Sequence, residues 1–342
     1  MTNSFWSELK KPIIAQAPMD GVSDAAFRYI MDVYGKPSLL FTEFTPVEGI
    51  THGATKLLMA FIHHKTETPT IAQLYGSHAE DFYSSAFVAC EMGFDGIDIN
   101  MGCPDKSVVK RGAGAGLILN PPLAIEIIKQ TKKGIYDWSE GKNIGDTNLP
   151  ADIIAYVNEF KKKLSIVPKK RLLPVSVKTR IGFDKIVTGS WIASILEAEP
   201  VNISIHGRTL VQMYTGQPDW EEIGKATVLI HKTNTSVLGN GNIHSLAEAD
   251  EKIKRYGVDG VLIGRAAYGN PWVFNDGQPT ETDKKRVAIE HCEKFAELTP
   301  DGHFVSLRKH LAWYMRGIEN SHILKMQLMQ INSVEDVRNI LS

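Results

Sequence analysis

Cysteine is scarce in this chain: Cys90, Cys103 and Cys292 are the only three in 342 residues. An odd count at wide spacing supplies neither a disulfide framework nor a zinc pattern, and it suits a reducing cytoplasm. Net charge is equally sparse. The formal value of −1 excludes a wholesale basic surface, so any nucleic-acid contact has to come from local patches. No apolar run is long enough to span a bilayer, and Met1 to Lys11 hold no segment of signal-peptide type. No grouping of His, Cys and carboxylates has metal-ligand spacing, and no metal is expected. What is present is a globular composition, 43% hydrophobic and 23% charged, with length for a barrel and a smaller second unit.

Eight short apolar runs recur: Pro12–Ala17, Leu39–Thr42, Thr70–Leu74, Ile97–Ile99, Leu173–Val177, Val201–Ile205, Ser236–Leu238 and Val261–Ile263. The segments between them have helical periodicity and caps. Ser77 with Glu80, Asp219 with Glu222, and Ser245 with Glu248 read as capping boxes. Phe82, Ala86 and Cys90 form one apolar stripe, which makes Cys90 a core residue. Gly93–Gly96 and Gly257–Gly260 repeat one helix-to-strand junction. Eight strands alternating with helices predict an α/β fold, a (β/α)8 TIM barrel. A doubly wound open sheet would need a glycine-rich fingerprint after its first strand, and Pro18–Gly21 is not one. The interval from Ile97 to Leu173 is more than twice the usual one; it predicts a helix near Pro122–Lys132, a polar segment Gly134–Pro150 and a helix Ala151–Leu164. The barrel is expected to span 1–274, with a linker at 275–282 and a small all-α domain at 283–342.

In such a barrel the chemistry gathers where the strands end. The stretch Gly96–Gly116 puts Asn100 and Cys103 at a strand end, then Lys106, Lys110 and Arg111 in what reads as a mobile basic loop. It is either a reactive thiol facing an anionic substrate or a small buried cysteine in an ordinary loop. Other strand ends carry Met19 and Asp20, Glu43, Gln73, Lys178 with Arg180, and His206 with Arg208. Gly239–Asn242 and Gly264–Arg265 are glycine-rich turns after strands seven and eight, where barrels hold a phosphate. Lys178 ends an apolar strand, where a fixed cation would stabilise negative charge on a flavin's N1/O2 edge; a buried ion pair with Glu43 or another acid is the alternative. His206 could donate to the same region or to the substrate.

Together these motifs resemble the tRNA-dihydrouridine synthase family. The resemblance lies in Ala17–Asp24, Asn100–Pro104, Lys110–Gly114, Val177–Gly182, His206–Thr209, Tyr214–Trp220, Gly239–Asn242 and Gly264–Phe274. Leu307–Tyr314 is similar to the helical domain of its bacterial DusB branch. The resemblance implies an FMN-dependent oxidoreductase that reduces a uridine in tRNA with NADPH or NADH. It implies flavin contacts from Pro18, Met19, Gln73, Lys178, His206, Asn240, Gly241, Asn242, Gly264 and Arg265. By the same resemblance Asn100 and Arg180 would hold the uracil, and Cys103 would be the proton donor. The Gly134–Pro150 connection departs from the family pattern without interrupting a motif. Lys106, Lys110 and Arg111 are expected to guide the tRNA backbone, and Arg308 with Lys309 to contact a phosphate, with Trp313 packed in the helical core. A cytoplasmic monomer is expected. A dihydroorotate dehydrogenase type of barrel, acting on a free small molecule, has no need of those basic residues. A non-catalytic RNA-binding barrel would not need the thiol, the Lys178 and Arg180 pair and the phosphate turns together.

Overall fold

Each apolar run folds as a strand, and its alternation separates two environments. The strands are β1 Ile13–Gln16, β2 Leu40–Pro46, β3 Thr70–Tyr75, β4 Gly96–Met101, β5 Val175–Arg180, β6 Asn202–His206, β7 Ser236–Asn240 and β8 Gly260–Ile263. They run parallel in the order β1-β8-β7-β6-β5-β4-β3-β2, and a bridge between Ala15 and Leu39 closes the ring. The structure, a computed structural model, describes residues 5–64, 66–300 and 302–342. Met1–Ser4, part of the start read above for a signal-type segment, lie outside the described residues. On the strands' outer faces Ile97, Ile99, Val175, Val177, Ile203, Ile205, Val261 and Ile263 pack into the main hydrophobic cluster. Inside, Ile13, Ala15, Leu39, Phe41, Ile71, Leu238 and Leu262 fill the lower barrel, closed by Trp6 of α1 Phe5–Glu8. Above that layer the inward positions turn polar: Gln73, Asp98, Asn100, Ser176, Ser204 and His206 are all buried.

The helices are α2 Ala25–Ile30, α3 Val47–Thr51, α4 Ala79–Glu91, α5 Lys106–Lys110, α6 Pro121–Ser139, α7 Ala151–Leu164, α8 Thr188–Leu196, α9 Trp220–Ile230 and α10 Leu246–Tyr256. After the barrel come α11 Glu281–Leu298, α12 Phe304–Tyr314, α13 Ser321–Leu328 and α14 Val334–Leu341. Asp219 and Ser245 cap α9 and α10 through the N–H groups of Glu222 and Glu248. The Ser77 box does not form: α4 starts after His78, and the Ser77 N–H donates to Glu48 Oε1 at 2.6 Å. Gly93 and Gly257 do adopt the left-handed conformation, with φ of 85° and 70°, and each turns a helix into the next strand. The helix expected near Pro122–Lys132 extends through Gly134 to Ser139, so the polar connection is shorter than the sequence suggests. Cys90 is buried in the main cluster. The C-terminal helices pack directly on the barrel. Val287, Cys292, Leu307 and Tyr314 join the same cluster as Phe27 of α2.

Candidate active site

The inner faces of β3, β4 and β5 build the floor of the barrel mouth as one hydrogen-bonded array. Gln73 Nε2 donates to Asp98 Oδ2 at 2.6 Å, Ser176 Oγ donates to Asp98 Oδ1 at 2.6 Å, and Asn100 Nδ2 donates to Gln73 Oε1 at 3.0 Å. Asn100 Oδ1 then accepts the N–H groups of Gly102 at 3.0 Å and Cys103 at 2.8 Å. This side-chain turn lifts Cys103 off the strand into a pocket with Tyr75, Val108, Ala113 and Phe44. Burial pushes the thiol above its ordinary value. The Asp105 backbone N–H and Arg180 oppose that shift, and the Asp105 and Asp20 charges reinforce it. The segment read as a mobile basic loop is the short helix α5. Asp105 caps it by accepting from Ser107 and Val108, and Lys106, Lys110 and Arg111 stand exposed on it.

Lys178 sits beside this array. Burial lowers its ammonium to about 8, the Arg180 charge adds to the shift, and Asp98 and Cys103 oppose it. The ion pair with Glu43 does not form. Glu43 accepts the Gly21 N–H instead, and the acid nearest in effect to Lys178 is Asp98. Asp98 was missing from the sequence-derived set, although a lone acid between Ile97 and Ile99 was a visible signal. Burial raises it to about 6. Arg180, expected to hold the uracil, also braces the chain. Its Nε donates to Gly102 O at 2.7 Å and its Nη1 to Thr209 O at 3.1 Å and Met213 O at 3.3 Å. Like Asn100, it directs most of its hydrogen bonds into the chain, tying the Cys103 turn to the loop after β6.

The turns after β7 and β8 converge on a second group of cations. Arg208 Nη1 donates to His206 Nε2 at 3.2 Å, which leaves the His206 proton on Nδ1. Burial, with the charges of Arg180, Lys178, Arg208 and Arg265, keeps that ring neutral. Asn242 Oδ1 accepts from Arg265 Nη2 at 2.9 Å and Arg208 Nη2 at 3.3 Å, while Asn240 Nδ2 donates to Leu262 O at 3.0 Å. Pro18 and Met19 lie half-buried on the loop after β1, and a Cβ on Gly264 would stand 3.4 Å from Met19 Sδ. Among the described residues Lys178, Arg180, Arg208 and Arg265 have no carboxylate within 4.0 Å. Such uncompensated positive charge around a buried polar floor fits an anionic, planar cofactor carrying a phosphate.

The family model described as "Dihydrouridine synthase (Dus)" matches residues 15–137 and 148–342. The chain belongs to the dihydrouridine synthase family. The internal stretch that the family match omits falls within Gly134–Pro150. A "Probable tRNA-dihydrouridine synthase" of Staphylococcus aureus is 33% identical over 350 residues, covering 100% of this chain and 95% of that one. The "Probable tRNA-dihydrouridine synthase 2" of Bacillus subtilis is 30% identical over 354 residues, covering 100% and 96%. Among solved structures, morphinone reductase in complex with tetrahydroNAD aligns with a TM-score of 0.42 at 12% identity, over 79% of this chain and 87% of that one.

Away from the floor, the C-terminal helices reach the rim. Lys309 Nζ lies 3.2 Å from where a Cβ on Gly21 would stand. Arg308 is less free than expected, because its Nε and Nη2 donate to Ile331 O at 3.1 and 3.0 Å and Nη2 also to Asn332 Oδ1. Trp313 is partly buried against the main cluster and against His310, but its packing is shared with the barrel. It stacks on Tyr268 of the barrel with centroids 4.0 Å apart and planes at 11°. On the rim beyond β2 and β3, Glu48, His78 and Asp81 bring ligand atoms within 4.8 Å of one another, a grouping the spacing did not predict.

Proposed function

We propose that this protein is a tRNA-dihydrouridine synthase of the DusB branch, which reduces the C5–C6 bond of a uridine in tRNA with FMN and NADPH or NADH. The observation that carries the reading is a thiol held protonated by burial, facing the same mouth as an uncompensated cluster of cations. When bound, FMN would supply the hydride needed at uracil C6. Lys178, His206, Asn240, Gly241, Asn242, Gly264 and Arg265 would hold it, with Pro18, Met19 and Gln73. Lys178 places its charge at the floor, and neutral His206 offers Nδ1–H as a donor.

Cys103 Sγ–H then delivers a proton to uracil C5. A raised thiol pKa suits an acid, because the group stays protonated at neutral pH. Asn100 and Arg180 hold the Cys103 turn, and Arg180 Nη2, which has no hydrogen-bond partner among the described residues, is left for the uracil. Lys106, Lys110 and Arg111 at α5 guide the tRNA backbone past the thiol, with Lys309 beside Gly21 and Arg308, held on Ile331, as a further phosphate contact. Extruding the base costs a few kcal/mol, which these phosphate contacts offset. The free state of Cys90, Cys103 and Cys292 supports a cytoplasmic setting, and a monomer is part of the same proposal.

Replacing Cys103 with Ala tests the acid. The variant is expected to retain its flavin absorbance while dihydrouridine formation slows by roughly 10²- to 10⁴-fold, the usual worth of a positioned general acid. Turnover at the wild-type rate would remove the thiol from the reaction.

A further inference from the structure

The loop between β6 and α9 is held more firmly than its exposure requires. Arg180 donates to the carbonyls of Thr209 and Met213 from below, and Arg208 to Thr215 O at 3.2 Å and Gly216 O at 2.7 Å. The N–H groups of Leu210 and Val211 bond Gly182 O and Phe183 O, and Gln212 Oε1 accepts the Thr209 N–H at 2.8 Å. At the tip of this braced loop Val211 and Tyr214 are each 62% exposed and Met213 is 41% exposed. A rigid loop that displays three apolar side chains beside a catalytic mouth is built to be covered.

The surroundings decide by what. The Arg265 guanidinium lies 5.8 Å from the Tyr214 ring centroid. The phenol also lies near Arg180 and Tyr268, and Tyr268 stacks on Trp313. Aromatic faces alternating with guanidinium groups are the surface on which unpaired nucleobases stack, and the cations attract the backbone that carries them. A polypeptide partner would call for carboxylate or apolar complements, and nothing in this group of cations distinguishes one.

We propose that Tyr214 is a stacking site for the nucleobase adjoining the uridine that enters the mouth. This rests on the tRNA reading above. A uridine that leaves its stack strips its neighbour of a partner, and the Tyr214 ring replaces it, which holds the opened strand in register with Cys103.

The test measures binding of the full-length protein to tRNA for wild type, Tyr214→Phe and Tyr214→Ala, using intact tRNA and tRNA made abasic on either side of the reduced uridine. Tyr214→Ala should weaken binding of intact tRNA roughly ten- to a hundredfold, and Tyr214→Phe should stay within about twofold of wild type. On the tRNA abasic at the stacked position, the wild type should bind as weakly as Tyr214→Ala, because ring and base form one interaction. An unchanged affinity for Tyr214→Ala overturns the proposal, as does a loss that is the same on every abasic tRNA. A raised KM for the nicotinamide dinucleotide with unchanged tRNA affinity would assign the ring to the reductant and also overturn it. Dihydrouridine formation by the wild type is scored separately. Its absence would defeat the tRNA reading, whereas its presence beside full Tyr214→Ala affinity would defeat only the stack.

Discussion

Glu43 leaves the regular pattern of β2 at a bulge between Phe41 and Phe44, and the bulge aims its carboxyl at the Gly21 N–H. Burial, with the Asp24 and Asp20 charges, raises it from 4.5 to about 7, against the pull of Arg28 and the Gly21 N–H. A carboxyl raised by folding favours its neutral form. Its stabilising contribution is complete below the unfolded value and is lost as pH rises through about 7. Glu43→Gln keeps an acceptor for Gly21 and cannot ionise. Unfolding free energies from urea titration should match wild type at pH 4 and exceed it at pH 8 by about 1–3 kcal/mol, allowing for partial solvent screening. Equal free energies at both pH values would mean that the carboxyl ionises freely. Asp98 belongs to the same class of residue, a carboxyl kept inside because Ser176 and Gln73 satisfy it.

The course of α6 depends on one glycine that the sequence suggests is a loop signal. At Gly134 the helix runs so close to α4 that a Cβ would stand 2.3 Å from the Tyr83 carbonyl oxygen and 3.1 Å from the Ala86 Cβ. The missing side chain lets the two helices approach, and the helix continues to Ser139, where Trp138 donates to Glu91 at 2.7 Å. Alanine favours helix on its own, so propensity predicts that Gly134→Ala stabilises the protein by about 1 kcal/mol. The contact predicts the opposite, a loss of about 1–3 kcal/mol from overpacking against backbone that cannot move. We expect the loss, read as a lowered melting temperature; a raised one would show that α4 and α6 separate at little cost.

At the scale of the molecule, the C-terminal helices are joined to the barrel through buried histidines. His291 accepts from or donates to the Tyr314 hydroxyl at 3.1 Å, and His310 packs against Phe27 and Trp313. Burial lowers both rings to about 3, with the neighbouring His310 charge adding at His291 and Lys309 adding at His310. Groups held neutral in this way give stability that is complete above the unfolded value, about 6.5, and is lost as pH falls toward 3. Urea stability should therefore drop steadily from pH 6.5 to pH 4, and His291→Phe should flatten that slope; an unaltered slope would place the acid sensitivity elsewhere. The eight strands, the junctions at Gly93 and Gly257, and the polar residues at the strand ends, Asp98 excepted, were legible in the sequence. Period-2 burial and chain punctuation are local, and a closed parallel barrel assigns every strand end to one face. Which hydrogen bonds those residues make was not legible. Asn100 turning on Cys103, Arg180 bracing Met213, Arg308 tied to Ile331 and Trp313 stacked on Tyr268 all depend on partners supplied by other elements. A side chain with several donors takes whichever acceptors the fold brings within about 3 Å, and only the tertiary structure sets those distances.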